Sequence, residues 1–498
     1  MKKIIAILMV LCMAFALVAC AAPAEQKAEA APAAETKTEA APAAAPAAAP
    51  AAEAAPAEEG KEYHIRVSCN SGYRGKTFED AGVILNEQLA AEGSKDTVSV
   101  EFVEVNENLE AMPIFAAENN LPELVLSSKA DLFDMYGNGY LVPADYVVND
   151  EAYTTYSSDA MRNLLQSYDK SYYVGAVYET ECRMTMIYKP ALQQLGWSEE
   201  QIEQWKQDAR AGKVTTADLM DVAEQVVKAG ICEYGILHRE KSCSDNTRNV
   251  VTFYHGVIPA DEQNRAIIDK NALYDWAAYA RELVQRGLTP YNLLSGDFTS
   301  DQLYGDILPS GKCFAYYGHI EIKSRMMTNA GVSSEYVDEN YFSIPNPVTV
   351  LGDKPVSGAN PWGIGFTTAS QEDPKMAEYC QRLADVIIST PEIQLDISVR
   401  NGHIPVSNAT AEMEEYKADG WMSDLDWLDA CIFAFPENPN LTDHLGDSKF
   451  WWSVIQEAEM TALDPNPRDL RTMVDEAVVN IEFDMLDDPG HVTVDWAN

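Results

Sequence analysis

The sequence predicts an α/β protein whose mainly parallel sheets are flanked by helices, and three observations carry that reading. Strand-like and helix-like segments alternate from residue 63 to 128 at β-α-β-α-β spacing, and a second alternating series runs from 172 to 388. The chain is also long enough for two or three lobes, with 498 residues of which 47% are hydrophobic. No repeat recurs at a period of 20–50 residues and eight regular β/α units cannot be counted, which sets aside solenoids, propellers and closed α/β barrels.

The first strand is read from the period-two alternation of Tyr63-His64-Ile65-Arg66-Val67, ending near Asn70 at a small polar loop that carries Gly72 and Gly75. Val83, Ile84, Leu85 and Leu89 give residues 78–91 an apolar helical face. Residues 98–105 alternate as a second strand, 108–118 suit a helix, and Pro122–Ser128 forms a short apolar strand ending in hydroxyls. Ligands of such sheets bind beyond the carboxyl ends of the strands, which singles out Asn70, Tyr73, Ser127 and Ser128. In the second series, residues 172–178 and 184–188 read as two strands, with Glu179 and Glu181 in a loop between them. Thr215 and Thr216 offer a cap for a helix over 217–229, and a further helix over 276–286 is stopped by Gly287. Strands follow at 313–317 and 362–367, then a helix at 376–388, and helices dominate the last ninety residues.

The amino-terminal sixty residues are of another kind. Met1-Lys2-Lys3 is a short cationic start, and Ile4–Val18 is an uncharged apolar run. Fifteen residues span about 22 Å as a helix, short of the roughly 30 Å hydrocarbon core, so the run reads as an export signal over 1–19. Its end, Leu17-Val18-Ala19-Cys20, resembles the bacterial lipobox, which implies cleavage before Cys20 and lipidation of that cysteine. Residues 21–60 hold 21 Ala and 6 Pro in 40 positions, too small and too proline-interrupted for a core or a continuous helix. Segment 20–60 therefore reads as a lipidated, disordered tether that holds a soluble protein at the extracytoplasmic face of the cell membrane.

Lys and Arg total 36 against 78 Asp and Glu, a formal charge of −42. Nucleic-acid binding rests on neutralising phosphates, so it is excluded, while the charge suits a soluble monomer. Seven cysteines remain after Cys12 and Cys20: Cys69, Cys182, Cys232, Cys243, Cys313, Cys380 and Cys431. Cys232 and Cys243 are near enough in sequence to bridge a loop; the others sit in apolar strings as small buried hydrophobes. No pair is spaced as a zinc site, so no metal or cofactor is expected. The serine-hydrolase, zinc-protease and phosphate-loop motifs are all missing, and abundant carboxylates alone do not make a glycosidase, so an enzyme is disfavoured.

The order of segments resembles the family 1 extracellular solute-binding proteins, the sugar-type receptors of ABC importers. Pro122-Glu123-Leu124-Val125 with Gly139-Tyr140-Leu141-Val142-Pro143 is similar to one motif of that family. Tyr173–Val177 through Ile187-Tyr188-Lys189-Pro190 is similar to its crossover between lobes, and Ser310–Gly318 to the strand after its Gly-Lys turn. Trp362-Gly363-Ile364-Gly365, Thr390-Pro391-Glu392 and Gly402-His403-Ile404-Pro405 complete the set. Pro190 follows Tyr188-Lys189 where the family usually has Asn-Lys, and His319 or Glu321 replaces its usual Trp, which leaves sugar identity open.

The resemblance implies a two-lobed periplasmic-binding-protein-like fold (type II), with lobes formed by 61–170 plus 362–405 and by 171–361 plus 406–498. It implies closure on a small solute, most readily a carbohydrate, and delivery to ABC permease subunits. A peptide, polyamine or other organic solute is the alternative cargo, with a secreted carbohydrate-active enzyme or a tethered adhesin further off. Sugars call for carboxylates or amides for hydroxyls and aromatic faces for C–H surfaces. The ligand candidates are thus Asn70, Tyr73, Ser127, Ser128, Glu179, Glu181, Tyr317, His319, Trp362 and His403.

Overall fold

Eight residues from Glu62 to Cys69 form strand β1, which pairs in parallel with β2, Thr97–Glu104, along its whole length. The computed structural model describes residues 60–498 apart from 71, 168–169, 240–265, 294–297, 426, 429–431, 435–467, 485–491 and 496–498. The signal segment, Cys20, the tether, Cys243, Cys431, Trp451 and Trp452 lie outside the described residues. Among the described residues no helix is long and apolar enough to cross a membrane.

Helix α1, Gly72–Ala91, links β1 to β2 and buries Phe78, Ala81, Leu85 and Leu89 against the sheet. Phe78, Leu85 and Leu89 each contribute about 1.5–3 kcal/mol on burial. The helix starts six residues before the apolar periodicity begins, through the segment read as a polar loop. Gly75 is the reason: a Cβ there would sit 2.4 Å from Cγ of Phe102 on β2, so only glycine lets the first turn seat on the strand. Helix α2, Asn108–Ala117, leads to β3, Leu124–Ser128, which lies parallel on the other side of β1. Helix α3, Lys129–Gly137, follows directly.

The largest departure from the sequence reading is β5, Ala176–Tyr188, thirteen continuous residues where two strands and a loop were expected. Acidic and hydroxyl side chains at 179–181 mimic a solvated loop, but here they are buried or nearly so: Glu179 pairs with Arg74, Glu181 with Arg183, and Thr180 Oγ1 donates to the Glu181 carbonyl. Residues 176–182 pair antiparallel with β10, Ser357–Thr367, while 183–187 pair with β8, Cys313–His319, and 185–188 with β9, Tyr341–Ile344. Strand β10 in turn lies antiparallel to β3, and β6, Tyr234–His238, is parallel to β8. The resulting order is β2-β1-β3-β10-β5-β8-β6. Parallel pairs thus lie at both ends, and β5 and β10 run antiparallel through the middle.

Short strands complete the junction: β4, Leu141–Val142, and β12, Ile432–Ala434, on β10, and β11, Ile404–Pro405, on β5. Strands β7, Ala266–Asp269, and β13, Val492–Asp495, pair separately. The buried apolar side chains gather in two large clusters. One includes Ile65, Leu126, Tyr178 and Phe366; the other includes Ile187, Leu219, Phe314 and Tyr317. Thr215 caps the helix Thr216–Lys228 through a capping box with Asp218, as the sequence suggested. Cys232 is a buried free thiol whose Sγ donates to the Gly311 carbonyl at 3.3 Å, not half of a loop bridge, and burial pushes it up to about 12.

Candidate functional site

The candidate site lies where β10, β5 and β11 meet. Trp362 of β10 is in register with Ser128 of β3 on one side and Glu179 of β5 on the other, and the register slips between Trp362 and Gly363. Such an irregularity re-aims the side chains beside it. Trp362 stays half-buried, and the Arg74 guanidinium from the first turn of α1 lies over its ring at 3.9 Å. Arg74 also reaches the fully buried Glu179, its Nε donating to Oε1 at 2.8 Å and its Nη2 to the same oxygen. His403, just before β11, brings Nδ1 to 3.7 Å from that oxygen.

Two residues further along β5 a second charge group begins. Arg183 Nη1 donates to Glu181 Oε2 at 3.0 Å, and Arg183 is in register with His319 at the end of β8. His319 Nδ1 lies 3.0 Å from Glu321 Oε1, the atom that also accepts from Arg325 Nη2 at 2.6 Å. Arg325 sits over the Tyr304 ring at 5.4 Å, and the Tyr304 hydroxyl bonds the Tyr316 hydroxyl at 2.9 Å. Burial pushes the Glu321 carboxyl up, but His319 and Arg325 outweigh it and hold it well below the usual carboxylate range. Burial and Glu321 raise Glu181, yet Arg183, His403 and His319 together leave it below its ordinary value. Both carboxylates are therefore ionised acceptors.

Donor atoms of Glu181, His319 and Glu321 lie within 4.8 Å of one another, a spacing a metal ion could bridge. Arg183 and Arg325 already neutralise the two carboxylates, so the charge that would attract a divalent ion is spent within the protein. The cluster reads as an ionic lattice rather than a metal centre.

Five of the sequence-derived candidates converge here: Glu179, Glu181, His319, Trp362 and His403. Asn70 is exposed just past the end of β1, one turn from Arg74. Tyr73 lies in the first turn of α1, with its side chain outside the described residues. Ser127 and Ser128 border Trp362 through the ladder, but Ser127 Oγ donates to Asp131 Oδ2 at 3.1 Å and Ser128 caps α3. Tyr317 is buried in the second core and shares a 2.5 Å hydrogen bond with the Tyr279 hydroxyl. The sequence reading missed Arg74, Arg183 and Arg325. Arg183 carried a signal, because it alternates with Glu179 and Glu181 along one strand; Arg74 and Arg325 carried none.

The fold and the site together define a two-lobed periplasmic-binding-protein architecture, with polar groups gathered at the strands that join its two cores. No protein-family model matches the sequence, and no curated protein does. Solved structures of the same fold do match. The chain is similar to the sugar-binding protein MalE from Xanthomonas citri, at 13% identity and a TM-score of 0.65, covering 85% of this chain and 98% of that one. It is similar to maltose-bound MalE3 of T. maritima, at 12% identity and a TM-score of 0.61, over 84% of this chain and 99% of that one. A sugar transporter protein from Arthrobacter chlorophenolicus with bound laminaribiose gives 11% identity and a TM-score of 0.59, over 85% and 99% of the two chains.

Proposed function

We propose that this chain is the membrane-tethered receptor of an ABC importer, capturing a carbohydrate between two closing lobes and passing it unaltered to the permease subunits. The observation that carries this reading is the half-buried Trp362, in register with Glu179 and under the Arg74 guanidinium, with the ionised Glu181 two residues further along β5. An aromatic ring covers the C–H face of a sugar, while Glu181, Glu321 and the neighbouring guanidinium groups match hydroxyls as acceptors and donors. A solute that touches groups from both lobes favours the closed arrangement. The lobes are assigned to 61–170 plus 362–405 and to 171–361 plus 406–498. The shared fold with proteins named for maltose and laminaribiose supports sugar as cargo, and the Leu17–Cys20 motif with its Ala/Pro-rich follow-on supports a lipid anchor at Cys20. On this reading the protein is a monomer on the extracytoplasmic face of the cell membrane.

Thermal unfolding of the chain with maltose, laminaribiose, monosaccharides, amino acids and polyamines tests the cargo. A true ligand at a hundredfold excess over Kd adds about 2.7 kcal/mol. The expected result is a shift with one class of sugar that Trp362→Ala abolishes. Flat responses to every sugar, with a shift for a polyamine, would overturn it. For the anchor, Cys20→Ser should move the protein from the membrane fraction to the soluble fraction.

A further inference from the structure

Trp362 and Glu179 stand opposite each other on β10 and β5, and opposed residues of an antiparallel pair project from the same face of the sheet. Arg74, arriving from the first turn of α1, engages both. Its Nε donates to Glu179 Oε1 at 2.8 Å, its Nη2 donates to the same oxygen, and its guanidinium carbon lies 3.9 Å from the centre of the indole ring. A guanidinium can do both at once because it has a planar face for stacking and a fork of donors at its edge. Glu179 is 0% exposed and Arg74 6%, so neither leaves the other without stranding a buried charge. The ion pair therefore holds the guanidinium still above the ring.

A tryptophan on a sheet surface otherwise samples several staggered rotamers, and the cation favours the one beneath it. Arg74 also shuts the indole face that it covers, being almost fully buried itself, whereas Trp362 is only partly buried against the first apolar cluster. The surface that Trp362 leaves open thus lies away from the guanidinium. We infer that Arg74 is a positioning residue for the cargo: it locks the Trp362 ring and closes one face, so that a solute meets the ring only from the side facing away from Arg74. This rests on the receptor reading above and says how that site selects. A solute with one flat apolar face suits a fixed, single-sided ring, and a ring already held in place binds it without first being ordered. Arg74 acts through Trp362 and not on the solute.

Fluorine NMR of the chain labelled with 5-fluorotryptophan tests this, the Trp362 resonance being identified by its loss in Trp362→Phe. Two variants remove the lock. Arg74→Met/Glu179→Leu replaces the pair by apolar groups of similar size, and Arg74→Lys, the milder change should the first fail to fold, keeps the charge opposite Glu179 without the planar face. In both, the Trp362 resonance should move or split while the other tryptophan resonances stay in place. Calorimetric titration with maltose and with laminaribiose should show binding weakened about tenfold in the same variants. A Trp362 resonance that stays where it was overturns the inference, and weaker binding with an unmoved resonance assigns Arg74 to direct contact instead. A moved resonance with unchanged affinity also overturns it, since the lock would then serve only the fold. If neither sugar binds the unaltered protein, the receptor reading has failed, and the resonance still decides whether Arg74 holds the ring.

Discussion

Replacing Glu179 by glutamine removes one charge from the most enclosed ion pair near Trp362. The Arg74 side chain is 7% exposed and Glu179 0%, so the guanidinium in Glu179→Gln is left buried opposite a neutral amide of the same shape. Breaking a buried pair from one side costs about 3–5 kcal/mol, because the remaining charge keeps its desolvation penalty and loses its attraction. Removing both partners for apolar groups of similar volume is often neutral or mildly stabilising. Urea unfolding followed by circular dichroism should therefore show Glu179→Gln destabilised by about 3–5 kcal/mol. The double variant Arg74→Met/Glu179→Leu should lie within about 1 kcal/mol of the unaltered protein. The assay reads midpoints at fixed slope. A single-variant loss under about 1 kcal/mol, or a double variant worse than the single, would refute the claim that the pair's stability lies in mutual neutralisation.

Three further outcomes follow from the geometry. Gly363→Ala should destabilise by about 1–3 kcal/mol in the same unfolding assay, because its Cβ would fall 2.1 Å from Leu165 Cδ1 and 3.3 Å from the Ala176 carbonyl oxygen. Asp385 is pushed up to about 7, by burial and by Asp150 against the opposing pull of Arg382. A carboxyl raised in the folded state lends stability that is complete below its unfolded value near 3.8 and is lost as pH rises through about 7. Asp385→Asn should thus stabilise at pH 8, by at most about 4 kcal/mol, with the gain vanishing towards pH 4. Glu321 is shifted the other way, so its contribution is complete above its unfolded value near 4.5 and is lost as pH falls towards its folded value. Glu321→Gln should flatten the acid limb of the stability profile below that pH, read from thermal unfolding at stepped pH.

Local pattern carried much of this architecture. The alternation of Tyr63, Ile65 and Val67 with exposed neighbours marks β1, the Thr215 cap marks its helix start, and the Pro374 start with its apolar face marks the helix Pro374–Ser389. These signals are legible because they depend on which side of a single element meets the core. The continuity of β5 was not legible. Glu179, Thr180, Glu181 and Arg183 look like loop residues to any local rule, and they are strand residues because β10 and β8 pair with them and Arg74, from 105 positions away, meets the buried Glu179. Trp362, Glu179 and His403 could be proposed from their places at strand ends. Arg325 could not, since its link to Glu321 depends on where the chain turns after β8.

The sequence by itself determined the periodic elements, the acidic charge and the small-residue character of residues 21–60, since each is a property of neighbouring side chains. Only the tertiary structure decided which charges neutralise one another, and so which carboxylates are ionised acceptors, because desolvation and Coulomb attraction depend on distances across the fold. It also decided that Tyr317 belongs to the core while His319, two residues later, meets the charged cluster.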